Sequence, residues 1–466
     1  PLDGVILDGT TSVDTAALTG ESAPVDKQPG DRVVSGTVNL SGVLRVRTES
    51  SFGESTVSKI LELVENASSK KARVESFITR FARWYTPCVV GGAVLLALLP
   101  PLFFHGAWSE WIHRALIFLV VSCPCALVVS VPLSFFGGIG GASRIGVLVK
   151  GADGLETLSK LDTLVFDKTG TLTEGRFAVQ TVHPAPGVAE ESLLRIAAAV
   201  ESHSTHPIAA AIRDAAAGAA LPAEHIREIA GCGLEADMLG ETVYAGNERM
   251  MARAGVQPQH PGEAGTVVHV AKTGKSGSEY LGCIVAADVC KAGAAEAIAE
   301  LRSLGVRRTV MLTGDRRVTA EAVGRKLGLD EIHAELLPGG KVAEVEKLLS
   351  GGGCVGFVGD GINDAPVLAR ADVGIAMGAM GSDAAIESAD VVLMDDKLAG
   401  LPRAIRLARK TMRIVRENIA FALAVKAVIL LLGALGYANM WVAVFGDVGV
   451  LVLAVLNAMR AMQKIR

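Results

Sequence analysis

Asp167, Thr313, Asp315, Asp360 and Asp364 each follow a short apolar run, in TLVFDKTGT (163–171), RRTVMLTGD (307–315) and GCVGFVGDGIND (353–364). A carboxylate can attack a phosphoryl group. Further carboxylates and a lysine, here Lys341 in LLPGGK, can hold Mg²⁺ and neutralise the transferring oxygens. Any one of these Asp residues would pass as a helix N-cap, but capping explains the five positions together poorly. A second group is of opposite chemical character. Cys123 and Cys125 flank Pro124 in VSCPCALVVS (121–130), inside a stretch, 115–143, that has no charged side chain. Thiolates select soft or borderline metal ions over Mg²⁺ or Ca²⁺. Proline interrupts the helical ladder, and irregular backbone at membrane depth survives only where it lines a site. Cys88, alone in TPCVV, reads as packing.

The elements that carry the thiols are long and apolar. Half of the 466 residues are hydrophobic, and they concentrate in 84–104, 115–143, 419–437 and 440–459. Each stretch suffices for the roughly 20 helical residues that cross a hydrocarbon core of about 30 Å, so four transmembrane helices are expected. Lys70, Lys71, Arg73, Arg80 and Arg83 precede the first stretch, and Arg144 and Lys150 follow the second. Arg403 and Arg416 bracket a basic run before the third, and Arg460, Lys464 and Arg466 follow the fourth. The intervening turns are nearly free of such residues, so a multi-pass protein of the cytoplasmic membrane with its bulk in the cytosol is expected. A net charge of −4 gives no sign of a nucleic-acid partner. Seven cysteines in such a chain do not read as a disulfide framework. The chain begins at Pro1 without Met, amid an apparent strand and turn, and is expected to be an N-terminally truncated part of a longer protein.

The carboxylates sit in the block between the second and third stretches, where apolar strands alternate with helical periods at 294–304, 319–327 and 342–349. This alternation predicts a parallel, doubly wound sheet with ligands at the carboxyl ends of its strands. An Ala-rich insertion, 177–287, carries ESHSTHPIAAAI (201–212), GCG (231–233) and YAGN (244–247). Glycines permit close backbone approach to a ligand, and polar side chains can read the edges of a base and ribose. His206 reads equally as a helix start.

Together DKTGT (167–171), TGD (313–315), the spacing from Pro338 to Lys341 and GDGIND (359–364) resemble the motif set of the P-type ATPases, within the haloacid dehalogenase superfamily. LTGES (18–22) resembles the loop of that family's actuator domain, and the resemblance runs over the whole chain. It implies that Asp167 is the phosphorylated nucleophile, with Lys168 beside it. Thr313, in the motif Thr313-Gly314-Asp315, and Lys341 would hold phosphoryl oxygens. Asp167, Asp360 and the Thr169 carbonyl would ligate Mg²⁺, with Asn363 and Asp364 completing the shell. Soluble phosphatases of the superfamily have a second Asp where this chain has Thr169, which cannot act as acid or base, so the aspartyl phosphate should persist. Glu21 would then orient the attacking water. In the heavy-metal branch, Glu201, His206, Gly231, Gly233 and Asn247 match positions of the ATP-binding domain, and SCPCAL resembles the transport-site motif.

Lys426, in AVKAV, and Asp447, in FGDVGV, are the only charges in their stretches. Intramembrane charges are costly and mark function. Two thiolates, one carboxylate, Lys426 and a divalent ion sum to zero, whereas Cu⁺ leaves one negative charge. The resemblance agrees, because the zinc, cadmium and lead exporters carry this Lys with an Asp-x-Gly, whereas copper pumps carry Tyr-Asn and Met-Ser patterns. The expected protein is a monomeric ATP-driven exporter of Zn²⁺, Cd²⁺ or Pb²⁺. The alternatives are a copper pump and a non-transporting membrane phosphatase or metal sensor. The expected fold is multidomain α/β plus membrane helices. It comprises a partial β-rich actuator domain (1–55), stalk and first two membrane helices (56–150), a haloacid dehalogenase-like phosphorylation domain in two parts (151–176 and 288–400), an inserted α+β nucleotide domain (177–287) and the last two membrane helices (401–466). No CxxC or His-rich metal-binding module is present in the sequence.

Overall fold

The computed structural model describes residues 2–15, 24–40, 42–49, 77–104, 106–122, 125–216, 221–275, 277–378, 383–435, 437 and 440–463. Glu21, Cys123 and Pro124 lie outside them, as does the side chain of Cys125. The chain forms two compact units. One comprises Pro1–Lys70, Asp162–Ala389 and Asp395–Ala399; the other comprises Lys71–Leu161, Asp390–Met394 and Gly400–Arg466.

The centre of the first unit is a parallel sheet in the order Glu331–His333, Arg308–Leu312, Thr163–Asp167, Val355–Gly359, Val373–Met377. Leu164, Val165 and Phe166 of the middle strand are fully buried, the unbroken apolar run of a strand covered on both faces. Helices at Ala294–Ser303, Arg317–Leu327 and Pro338–Ser350 follow the periods read from sequence. The strands Glu331–His333 and Val373–Met377 were not anticipated, being short and, in the first case, polar.

Between Thr173–Pro184 and Gly277–Cys290 the chain builds a six-stranded antiparallel sheet, with those two strands paired at one edge. Helices Glu190–Val200 and Pro207–Ala215 bury Leu193, Ala197, Val200, Ile208 and Ile212 against Leu234, Ala236, Val243 and Ala245 of the sheet. Near the N-terminus, two three-stranded antiparallel sheets form around Gly4–Asp8 and Thr11–Asp14.

Among the described residues of the second unit, two helical stretches, Arg83–Phe103 and Trp108–Ser143, are long and apolar enough to cross a membrane. Within the latter, Trp108–Val121 and Cys125–Ser143 are helical. Residues 419–434 and 440–459 are helical too, in Gly400–Ala434 and Met440–Met459. Small residues set how closely these helices pack. A Cβ on Gly138 would stand 2.6 Å from the Thr411 hydroxyl and 2.7 Å from Leu155. Ala126, Leu127, Ala422 and Val450 form the buried contact among the last three helices.

Candidate functional site

Sheet register brings the carboxylates together. Leu312 pairs with Asp167 and Val358 with Phe166, so Thr313 and Asp360, each just beyond its strand, flank Asp167 on either side. Asp167 is 3 % exposed. Carboxylate oxygens of Asp167, Asp360 and Asp364 all lie within 4.8 Å of one another. The turn after Asp167 owes its shape to Gly170, at φ 73°. A Cβ there would fall 1.6 Å from an Asp360 oxygen, so only glycine lets the turn close on that carboxylate.

Lys341 enters from the first turn of Pro338–Ser350, which starts with Pro at N1 where no N–H is needed. Its ammonium, 1 % exposed, hydrogen-bonds Asp167 and lies 3.2 Å from Asp364 Oδ1. Burial works against this charge, but Asp167 and then Asp364 outweigh it and hold Lys341 above the ordinary lysine range. Asp360 is pushed the other way. Burial, and then the adjacent Asp364, raise its carboxyl to about 7. Lys291 and Lys341 only partly offset this, and a cluster of hard oxygen donors with excess negative charge fits Mg²⁺. Asp167, Asp360 and Asp364 would hold it, with the Thr169 carbonyl close by in sequence.

Lys168 donates to Asp315 Oδ2 at 2.6 Å and lies 3.6 Å from Asp288 Oδ2. Thr313 is fully buried, and its hydroxyl accepts from the Asp315 N–H at 3.1 Å. Gly314 is the link between the two, and Asn363 is 4 % exposed beside Asp364. Asp288 was missed by sequence reasoning. It lies near the end of Gly277–Cys290 and accepts from the Thr173 hydroxyl at 2.5 Å. Like the recognised carboxylates it follows an apolar run, CIVAAD (283–288), and that signal could have found it.

The insertion gathers its candidates in two clusters. Glu201 ends one helix and is 6 % exposed, and His206 caps the next, its Nδ1 accepting from the Ile208 N–H at 3.2 Å. Burial lowers the imidazole's pKa. In the second cluster Gly231 and Gly233 take φ values of 68° and 140°. A Cβ on Gly233 would meet the Ala245 carbonyl oxygen at 2.2 Å. Asn247 donates to the Gly231 carbonyl at 2.9 Å while its Oδ1 caps the helix Glu248–Ala254, so it latches the glycine loop to that helix.

Glu201 supports a pH prediction. Burial raises its carboxyl from 4.5 to about 7. The folded chain therefore keeps a proton that the unfolded chain loses near pH 4.5, and stability falls as pH rises from there through about 7. Above that the full penalty, about 3 kcal/mol for a shift of this size, is in place. Glu201→Gln is expected to protect amides of Glu190–Val200 and Pro207–Ala215 from exchange at pH 8 and to change nothing at pH 5. Equal effects at both pH values would refute it.

In the second unit, Lys426, 5 % exposed, donates to Asp447 Oδ1 and to the Val121 carbonyl oxygen, each at 2.9 Å. Val121 ends the helix before the Cys-Pro-Cys segment. Tyr85 donates to the next carbonyl, that of Ser122, at 2.7 Å. Proline at 124 has no N–H to give a helical ladder, and side chains from two other helices donate to the carbonyls of Val121 and Ser122 just before the Cys-Pro-Cys segment.

Residues 161–372 match a family model of haloacid dehalogenase-like hydrolases, and residues 1–65 match that of the P-type ATPase actuator domain. The chain is 55 % identical to a cadmium, zinc and cobalt-transporting ATPase of Bacillus subtilis, over 99 % of this chain and 66 % of that protein. It is 43 % identical to a cadmium, zinc and cobalt-transporting ATPase of Helicobacter pylori, over 99 % and 68 %. The chain thus spans about two thirds of the length of these curated relatives. A crystal structure of a zinc-transporting PIB-type ATPase in its E2.Pi state superposes with a TM-score of 0.89 at 42 % identity, over 99 % of this chain and 76 % of that one.

Proposed function

Because the chain belongs to the P-type ATPases, we propose that it is the phosphorylating and cargo-holding part of an ATP-driven exporter of Zn²⁺ and Cd²⁺, with Pb²⁺ a third cargo by the same donor chemistry. The observation that carries the reading is Asp167 at the end of the central strand, hydrogen-bonded by Lys341 and ringed by Asp360 and Asp364. An Asp167 oxygen attacks the γ-phosphorus of ATP, the bond to the bridging oxygen breaks, and ADP leaves with that electron pair. Lys341 and Thr313 hold the transferring oxygens, and bound Mg²⁺ supplies further positive charge to them. Thr169 offers no base, so the acyl phosphate survives until Glu21 takes a proton from a water that attacks phosphorus. Inorganic phosphate then leaves and the Asp167 carboxylate is restored. Glu201, His206, Gly231, Gly233 and Asn247 form the ATP pocket of the inserted domain.

Four membrane helices, two on each side of the catalytic block in sequence, carry the cargo site. Cys123, Cys125 and Asp447 are the ligands, and Lys426 is the counter-ion that replaces the metal when it leaves. The protein works as a monomer in the cytoplasmic membrane, with its soluble domains in the cytosol and no nucleic-acid partner. The pairing of Lys426 with Asp447 favours a divalent cargo over Cu⁺, since it adds a positive charge that only a divalent ion brings to balance against both thiolates and the carboxylate. Membranes carrying the protein should form acid-stable label from γ-labelled ATP with Zn²⁺ or Cd²⁺ at least about tenfold above the metal-free level. Cu⁺ should give no such increase. Label raised by Cu⁺ and not by Zn²⁺ would overturn the divalent reading.

A further inference from the structure

Glu201 and His206 stand in a connector of six residues between the helices Glu190–Val200 and Pro207–Ala215, with one 3₁₀ turn over Glu201–His203. The carbonyls of so short a link lie outside the two helical ladders, and that of Glu201 accepts from the Ser204 N–H at 3.1 Å. One group takes two carbonyls of this link. Arg213 Nη1 donates to the Glu201 carbonyl at 2.5 Å and to the Ser204 carbonyl at 2.9 Å. Arg213 comes seven residues after His206, hence on the same helix face. Its long side chain runs back toward the helix N-terminus. Arg213 lies in the last turn of its own helix, and its guanidinium meets carbonyls just past the C-terminal end of the first helix, so its charge suits both dipoles; the two hydrogen bonds are what tie it to this turn. The same turn is fixed twice more, by the His206 N–H donating to Ser204 Oγ at 3.2 Å and by the His206 cap on Ile208.

We infer that Arg213 is a positioning residue for ATP, clamping the turn Glu201 to Ser204 so that Glu201 and His206 face the adenine ring in one fixed arrangement. The inference rests on the reading of the insertion as the ATP pocket. Arg213 itself need not touch nucleotide. Without the clamp the turn gains freedom, and Glu201 must be ordered anew at each binding event. Affinity and base selectivity suffer, while chemistry at Asp167, on a different sheet, does not.

The test uses the full protein and reads acid-stable phosphoenzyme. Arg213→Ala should raise the ATP concentration for half-maximal labelling about tenfold, and should reduce the preference for ATP over GTP by a similar factor, because a displaced hydrogen-bonding group no longer rejects the wrong base. Labelling at saturating ATP, and labelling from inorganic phosphate, should stay within about twofold. Arg213→Lys, with a shorter reach and no planar fork, should recover part of the loss. An unchanged ATP dependence in Arg213→Ala, or an equal loss of labelling from inorganic phosphate, would overturn the inference. Glu201→Ala and His206→Ala separate the two readings. If they shift ATP dependence and Arg213→Ala does not, the inference alone fails; if they shift nothing, the pocket and the inference fail together.

Discussion

Asp167→Asn is expected to reduce acid-stable phosphoenzyme by more than about 1000-fold, the scale on which removing a nucleophile acts. The amide nitrogen has no lone pair to give and the amide oxygen is a far weaker nucleophile than a carboxylate. The variant should nevertheless fold. Asp167 sits among two further carboxylates within 4.8 Å, so losing one negative charge relieves repulsion, while the remaining contact of Lys341 with Asp364 is kept. ATP binding should persist, because the proposed pocket in the inserted domain is built on a separate sheet. Residual label in Asp167→Asn at the wild-type level, on a protein that still binds ATP, would place the nucleophile elsewhere.

The convergence of the carboxylates was legible in sequence because a parallel sheet converts chain position into space. Each strand ends at the same edge, so residues at or just beyond the strand ends, Asp167, Thr313 and Asp360, converge although about 190 positions separate the first from the last. Lys341 was legible through its motif, and the helix beginning at Pro338 explains why it points inward. What was not legible depends on side chains crossing between elements with no fixed spacing. Asp288 reaches Lys168 from the strand that leaves the insertion, and Arg213 closes a turn through carbonyls that no residue type advertises. Tyr85 and Lys426 meet the carbonyls before Pro124. The sequence reading identified the break at proline but not which groups would satisfy it.

The largest effect at the proposed cargo site is expected from Asp447→Ala, and it follows from charge. With Lys426, Asp447, two thiolates and a divalent ion the site is neutral. Removing Asp447 leaves one net positive charge around Lys426, a buried ammonium that then keeps only the Val121 carbonyl of the two acceptors described. The excess positive charge repels the incoming cation. Zn²⁺-dependent phosphoenzyme should fall at least about 100-fold, while labelling from inorganic phosphate persists. Cys123→Ser and Cys125→Ser should each lose Zn²⁺ dependence to a similar degree, since a hydroxyl is a hard ligand that does not ionise. The double variant Lys426→Ala with Asp447→Ala distinguishes charge from ligand loss. It returns two thiolates and a divalent ion to neutrality, so it should respond to Zn²⁺ better than Asp447→Ala alone. In the single variant the neutral combination is instead two thiolates, Lys426 and a monovalent ion, so any metal stimulation that survives there should shift toward Cu⁺. Equal Zn²⁺ responses in the single and double variants, with no gain for Cu⁺ in the single, would mean that Asp447 acts only as a ligand and that Lys426 does not set the charge of the cargo.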